Sequence, residues 1–123
     1  MKLVFEVNAA FEKDLKRLDP KDIHRIVYKI NTYCSLLQKQ PALFFKYAKR
    51  PLMPYLAKGL KSSMYTLRID KDVRVILTVD EDPLFNQIIV TLIRVVRHND
   101  LNKTFGSIAE SLYQKNLIKL KPI

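Results

Sequence analysis

The chain is poor in the residues that many kinds of site are built from. It has two glycines, one cysteine and two histidines among 123 residues. With only Gly59 and Gly106, a glycine-rich loop that cradles phosphate is excluded. With only Cys34, no disulfide forms within the chain, which fits a reducing cytosol and a cytoplasmic protein. His24, His98 and Cys34 lie far apart in sequence, so no metal site and no cofactor is expected. No serine–histidine–acid set has a recognisable context. No apolar run approaches the roughly 20 residues that span a bilayer. Glu6 breaks the opening run Met1-Lys-Leu-Val-Phe, so no signal peptide and no membrane partner is expected. Low-complexity tracts are absent too, which argues against a disordered chain.

What is present is apolar residue and positive charge. Hydrophobic residues make up 48%, enough for one globular domain over 1–123 with a real core. Lys and Arg number 22 against 12 acids, a net charge of +10. So large a charge on so small a domain favours an anionic partner: nucleic acid, an acidic protein or a membrane surface. The basic residues spread along the chain rather than forming a tail.

Periodicity predicts the elements. Lys2 to Val7 reads as a first strand. Asn8 caps a short helix over 9–18, in which Phe11, Leu15 and Leu18 recur at helical spacing. Asp19-Pro20 opens a second helix over 20–38, with Ile23, Ile26, Val27, Ile30, Cys34 and Leu37 as its apolar face. His24 falls on its boundary. The two helices should pair as a hairpin and need a sheet to cover. Residues 39–62 hold three prolines among many large apolar residues. A helical turn near 42–48 and an extended part near 51–57 are expected there. The segment reads either as functional or as a cover over a sheet edge. Met64 to Ile69 and Val73 to Val79 form a hairpin across Asp70-Lys71-Asp72. The second strand alternates core-facing valines with Arg74, Ile76 and Thr78. Asp80-Glu81-Asp82-Pro83 turns into a fourth strand, Gln87 to Val96. A last helix covers 104–115, with Phe105, Ile108 and Leu112 on its apolar side. The fold class is α+β, in the order β-α-α-β-β-β-α. A helical hairpin lies on a mainly antiparallel four-stranded sheet.

Three consecutive strands carry arginine, a poor strand filler unless its charge has a task. Arg68, Arg74, Arg94 or Arg97, and His98 close together would suit a phosphate-rich ligand, with RNA the first candidate. Arginine stays charged and grips phosphate bidentately, so Arg74 suits charge stabilisation and not proton abstraction. The plain structural alternative is an ion pair with Asp72 or Asp70. His98 can give or take a proton near neutrality, which arginine cannot. Lys61 could add charge at the mouth or simply lie in solvent.

The order of elements and four stretches resemble the RelE/ParE toxin superfamily of bacterial type II toxin–antitoxin modules. The stretches are Phe11-Glu-Lys-Asp-Leu-Lys-Arg-Leu18, Gly59-Leu-Lys-Ser-Ser-Met-Tyr65-Thr-Leu-Arg68, Val73-Arg74-Val-Ile-Leu77 and Val95-Val-Arg97-His98. The likeness spans roughly residues 3–113. Members similar to RelE cut messenger RNA in the ribosomal decoding site without metal. The ribose 2′-hydroxyl attacks the neighbouring phosphate and leaves a cyclic phosphate. Members similar to ParE poison DNA gyrase and have no nuclease site. Both kinds are held inactive by an antitoxin that wraps the toxin. The resemblance implies a ribosome-dependent endoribonuclease with Arg74, His98, Arg68 and Arg97 as catalytic residues. Lys61, Arg68 and Phe105 would contact RNA. The implied partners are a cognate antitoxin, in a hetero-oligomer, and mRNA on the ribosome.

Two positions depart from the nuclease pattern. Phe105 stands near the point where many RelE-like enzymes have a tyrosine, and Tyr113 lies too far along to replace it. Thr66 stands where RelE itself has a lysine. Two alternatives therefore stay open: a ParE-like gyrase inhibitor or inactive relative, and a non-toxin domain that binds RNA or an acidic protein.

Overall fold

The fold is given by a computed structural model that describes residues 1–50 and 63–108. Strand β1 (Lys2–Val7) leads into α1 (Ala9–Lys16) and α2 (Pro20–Cys34). Two short helices follow, α3 (Leu36–Lys39) and α4 (Pro41–Tyr47), then a two-residue strand β2 (Ala48–Lys49). Strands β3 (Met64–Arg68), β4 (Val73–Asp82) and β5 (Gln87–Arg97) come next. A 3-10 turn (His98–Asp100) joins β5 to a helix α5, described over 101–108.

The caps are those the sequence implies. Asn8 Oδ1 accepts from Phe11 N at 2.8 Å, and Asp19 Oδ1 accepts from Lys21 N at 3.2 Å. Each satisfies a donor that a helix start leaves orphaned. The expected helix over 20–38 is interrupted at Ser35. Its hydroxyl donates to the Thr32 carbonyl at 2.7 Å, a local bond that competes with helical continuity. The helical turn expected near 42–48 is α4. The extended part near 51–57 lies outside the described residues.

Among the described residues the sheet has five strands in the order β1-β5-β4-β3-β2. Four neighbours were expected; the fifth is β2, which pairs antiparallel with β3 at Ala48↔Leu67 and Lys49↔Thr66. Two residues are too few for a periodic signal, so β2 had none in the sequence. β1 runs parallel to β5, and the other pairs are antiparallel. β4 continues through Asp80-Glu81-Asp82, so the turn is shorter than expected. Asn86, with φ 51°, closes it in the left-handed region that Asn tolerates.

One face of the sheet carries the main core. Phe11 of α1 and Ile26, Ile30 and Cys34 of α2 meet Leu67, Val75, Leu77 and Val90 there. Cys34 is fully buried, and burial pushes its thiol up to about 12. It is the small apolar residue that its place in the stripe implies. The other face is not simply polar. Met64, Ile76 and Val96 form a second cluster with Phe105 of α5. α5 starts three residues before the expected helix, and residues 109–115 of that expected helix lie outside the described residues. Strand alternation therefore puts Thr66, Arg68 and Arg74 on the α5 side of the sheet.

Candidate functional site

Arg68 and Arg74 are direct cross-strand partners on β3 and β4. Like charges placed opposite each other oppose stability. The sheet nevertheless holds them together through one backbone carbonyl. Asp70 O accepts from Arg74 Nη1 at 2.6 Å and from Arg68 Nε at 3.3 Å. Arg74 Nη1 also donates to Val73 O at 3.2 Å. Among the described residues neither guanidinium pairs with a carboxylate. The ion pair that Asp70 or Asp72 could have offered Arg74 is absent from that set.

The Asp70 carboxylate is engaged elsewhere. Oδ1 accepts from Asp72 N and Val73 N, both at 2.8 Å, and pins the β3–β4 turn. Oδ2 lies 3.0 Å from Arg25 Nη2. Desolvation pushes this carboxyl up. The two backbone donors and the charges of Arg25 and Lys29 outweigh it and hold the group below its ordinary value.

His98 opens the 3-10 turn, and its backbone N donates to Asp72 O at 2.7 Å. That bond ties the end of β5 to the same turn. His98, Arg68 and Arg74 line one cleft of about 660 Å³. Lys46 and Tyr47 of α4, Lys49 of β2, and Arg50 line it as well. So does Tyr33 of α2, with its ring centroid 4.8 Å from that of Tyr47. Arg50 is placed by Tyr65: its guanidinium lies 5.5 Å from the ring centroid and Nη2 donates to the hydroxyl at 3.3 Å. Five permanent cations thus face this cleft, and among the described residues no Asp or Glu does.

Arg97 does not join this group. Successive strand residues point to opposite faces, so the step from Arg97 to His98 separates the expected basic pair. Arg97 lines a second cleft, of about 790 Å³, with Arg17, Asp22, Arg25 and Asp72. Arg94 belongs to that side too. Asp14 of α1, 9% exposed, takes Arg94 Nε at 2.7 Å and Nη2 at 3.1 Å, and accepts from Val95 N at 2.9 Å. The Asp14 hydrogen bond, working against burial, raises the Arg94 guanidinium above its already high ordinary value. This clamp sits beside the irregularity where Ile76 faces Arg94 and Leu77 faces Leu92.

Phe105 borders the cationic cleft but is 3% exposed and packs against the second core cluster. Its ring is a floor more than a free stacking surface. Lys61 lies outside the described residues. Sequence reasoning missed Tyr33, Tyr47, Lys46, Lys49 and Arg50. Lys46, Tyr47, Lys49 and Arg50 follow Pro41 in an unusual apolar and basic mix, but the pairing of Ala48 and Lys49 with β3 is a long-range contact with no local trace. Among the described residues no three His, Cys, Asp or Glu side chains group as metal ligands. No helix among them is long and apolar enough to cross a membrane.

Several solved structures are similar to this chain. One is the RelBE2 toxin–antitoxin complex of Mycobacterium tuberculosis, at 17% identity and TM-score 0.46, covering 80% of this chain and 100% of the other. Another is the YoeB/ParE toxin from Agrobacterium tumefaciens, at 23% identity and TM-score 0.46, covering 80% and 99%. A third is YafQ from E. coli strain BL21(DE3), at 16% identity and TM-score 0.44, covering 81% and 98%. No family model matches the sequence, and no curated protein matches it.

Proposed function

We propose that the protein is the toxin of a type II toxin–antitoxin system. In this reading it is a ribosome-dependent mRNA endonuclease of the cytoplasm. The observation that carries the reading is the cleft shared by Arg68, Arg74 and His98, with five cations and no described carboxylate. Such a wall suits a polyphosphate chain and repels few of its charges. RNA specificity would come from the ribosome, which holds the strand in the decoding site.

The chemistry needs no metal in this reading. The 2′-oxygen attacks the adjacent phosphorus as its proton leaves, the bond to the 5′-oxygen breaks, and that oxygen gains a proton. The products are a 2′,3′-cyclic phosphate and a 5′-hydroxyl. His98 is the imidazole among the described lining residues, the side-chain type best suited to general acid–base work. Arg74 and Arg68 face the charge that builds on the phosphorane. Arg74 has only Nη1 bonded among the described residues, which leaves Nε and Nη2 for phosphate. An acidic antitoxin segment over the same cleft would silence it by occupying the cations.

The test is mapping mRNA 3′ ends in a purified translation system, with and without ribosomes. The expected result is discrete cuts in decoding-site codons only when ribosomes are present, lost in Arg74→Ala and His98→Ala. Cutting that survives both substitutions sinks the assignment. A second reading rests on Phe105, which cannot donate a proton where a tyrosine is usual. It makes the protein a ParE-like gyrase inhibitor. Growth arrest by both variants, together with inhibited DNA supercoiling in vitro, would select it.

A further inference from the structure

We infer that Tyr47, backed by Tyr33, is a stacking platform for a nucleobase beside the phosphate-binding arginines. The inference deepens the reading just given, because it takes the cationic cleft to hold a single-stranded nucleic acid. Three observations carry it. Tyr47 is 44% exposed, yet its ring is held: that of Tyr33 lies against it at 4.8 Å with 38° between the planes. Its backbone is fixed as well. Tyr47 ends α4, and the next residue, Ala48, is 2% exposed and paired with Leu67 in the sheet. Finally, both tyrosines line the same cleft as Arg68, Arg74 and His98.

An exposed ring that is rigid loses little conformational entropy when a base stacks on it. Aromatic faces next to a cationic groove are the combination that holds single strands, because every base has a π-face and every nucleotide a phosphate. An acidic peptide would need the cations but not the ring. The other exposed aromatics among the described residues lack this setting. Phe85 is 75% exposed at the β4–β5 turn and lines neither cleft. It therefore serves as a control.

The experiment measures binding at fixed low salt of a short single-stranded RNA and of an abasic ribose-phosphate chain of equal length. Wild-type protein should hold the RNA more tightly. Tyr47→Ala and Tyr47→Leu should weaken RNA binding by about tenfold or more and leave abasic binding unchanged. Tyr47→Phe keeps the ring and should match wild type, as should Phe85→Ala. Thermal unfolding of each variant checks the fold, and Tyr47→Leu carries the test if Tyr47→Ala fails to fold. Equal loss on both ligands, no loss on either, or a Tyr47→Phe defect as large as that of Tyr47→Ala would each overturn the platform. Arg74→Ala should weaken both ligands alike. If it weakens neither, the phosphate reading fails while the Tyr47 variants still judge the platform.

Discussion

Two clefts flank the β3–β4 turn, and both are rich in arginine. They differ in what answers the charge. In the larger, Arg17, Arg25, Arg94 and Arg97 have Asp14, Asp22, Asp70 and Asp72 among their neighbours. In the smaller, Lys46, Lys49, Arg50, Arg68 and Arg74 have no described carboxylate among the lining residues. A net charge of +10 says that an anionic partner is favoured. It does not say where that partner binds. In the function proposed above, the place is the cleft whose cations have no carboxylate beside them among the described residues.

The largest expected effect separates one arginine of each cleft. Arg74→Ala should lower ribosome-dependent cutting by about 100- to 1000-fold, the usual cost of removing a group that stabilises transition-state charge. Arg97→Ala should leave cutting within a few-fold of wild type. Rates of 3′-end appearance for the two variants decide the matter. A comparable loss in both would mean that the two clefts act as one site.

Stability should sort the clefts the other way. Asp14→Ala leaves Arg94 without its carboxylate and Val95 N without its acceptor. Removing one partner of a buried pair costs about 3–5 kcal/mol, and Arg94 is 33% exposed, so about 2–3 kcal/mol is expected. Arg68→Ala should cost almost nothing, because it relieves a like-charge cross-strand pair. Urea unfolding midpoints compare them. A larger loss from Arg68→Ala than from Asp14→Ala would show that the cationic cleft is a structural feature.

How much of this was legible in the chain follows from range. Asn8 and Asp19-Pro20 announce helix starts because a cap acts within three residues. Arg68, Arg74 and His98 could be placed because hairpin strands with short turns put known residues side by side. Arg97 was misgrouped because adjacency in sequence hides the alternation of faces. The Asp14–Arg94 clamp spans 80 residues, and β1 pairs with β5 over a still longer stretch, Lys2 with Gln87. Neither leaves a local pattern. Tyr33 and Tyr47 lie on different helices, 14 residues apart in sequence. Only the pairing of Ala48 with Leu67 brings them to the arginines.

Asp70 joins the two clefts, and it gives the smallest expected effect. Its carboxylate faces the balanced side through Arg25, while its carbonyl gathers Arg68 and Arg74 on the other. Asp70→Asn keeps an oxygen for the turn and leaves the carbonyl in place, so cutting at neutral pH should stay within a few-fold. What it removes is charge. The folded-state carboxyl is held below its ordinary value, so its stabilising contribution is complete above the unfolded value of about 3.9. It is lost as pH falls through the lower, folded value. Wild type should therefore exceed Asp70→Asn by about 1 kcal/mol or less at pH 7, in line with a partly exposed pair. The gap should close in strongly acidic solution. Urea midpoints at both pH values read it directly. A gap that persists in acid would mean that hydrogen-bond geometry, not charge, separates aspartate from asparagine at this turn. In that case the carboxylate is a strut for the two arginines, and the balanced cleft does no more than surround it.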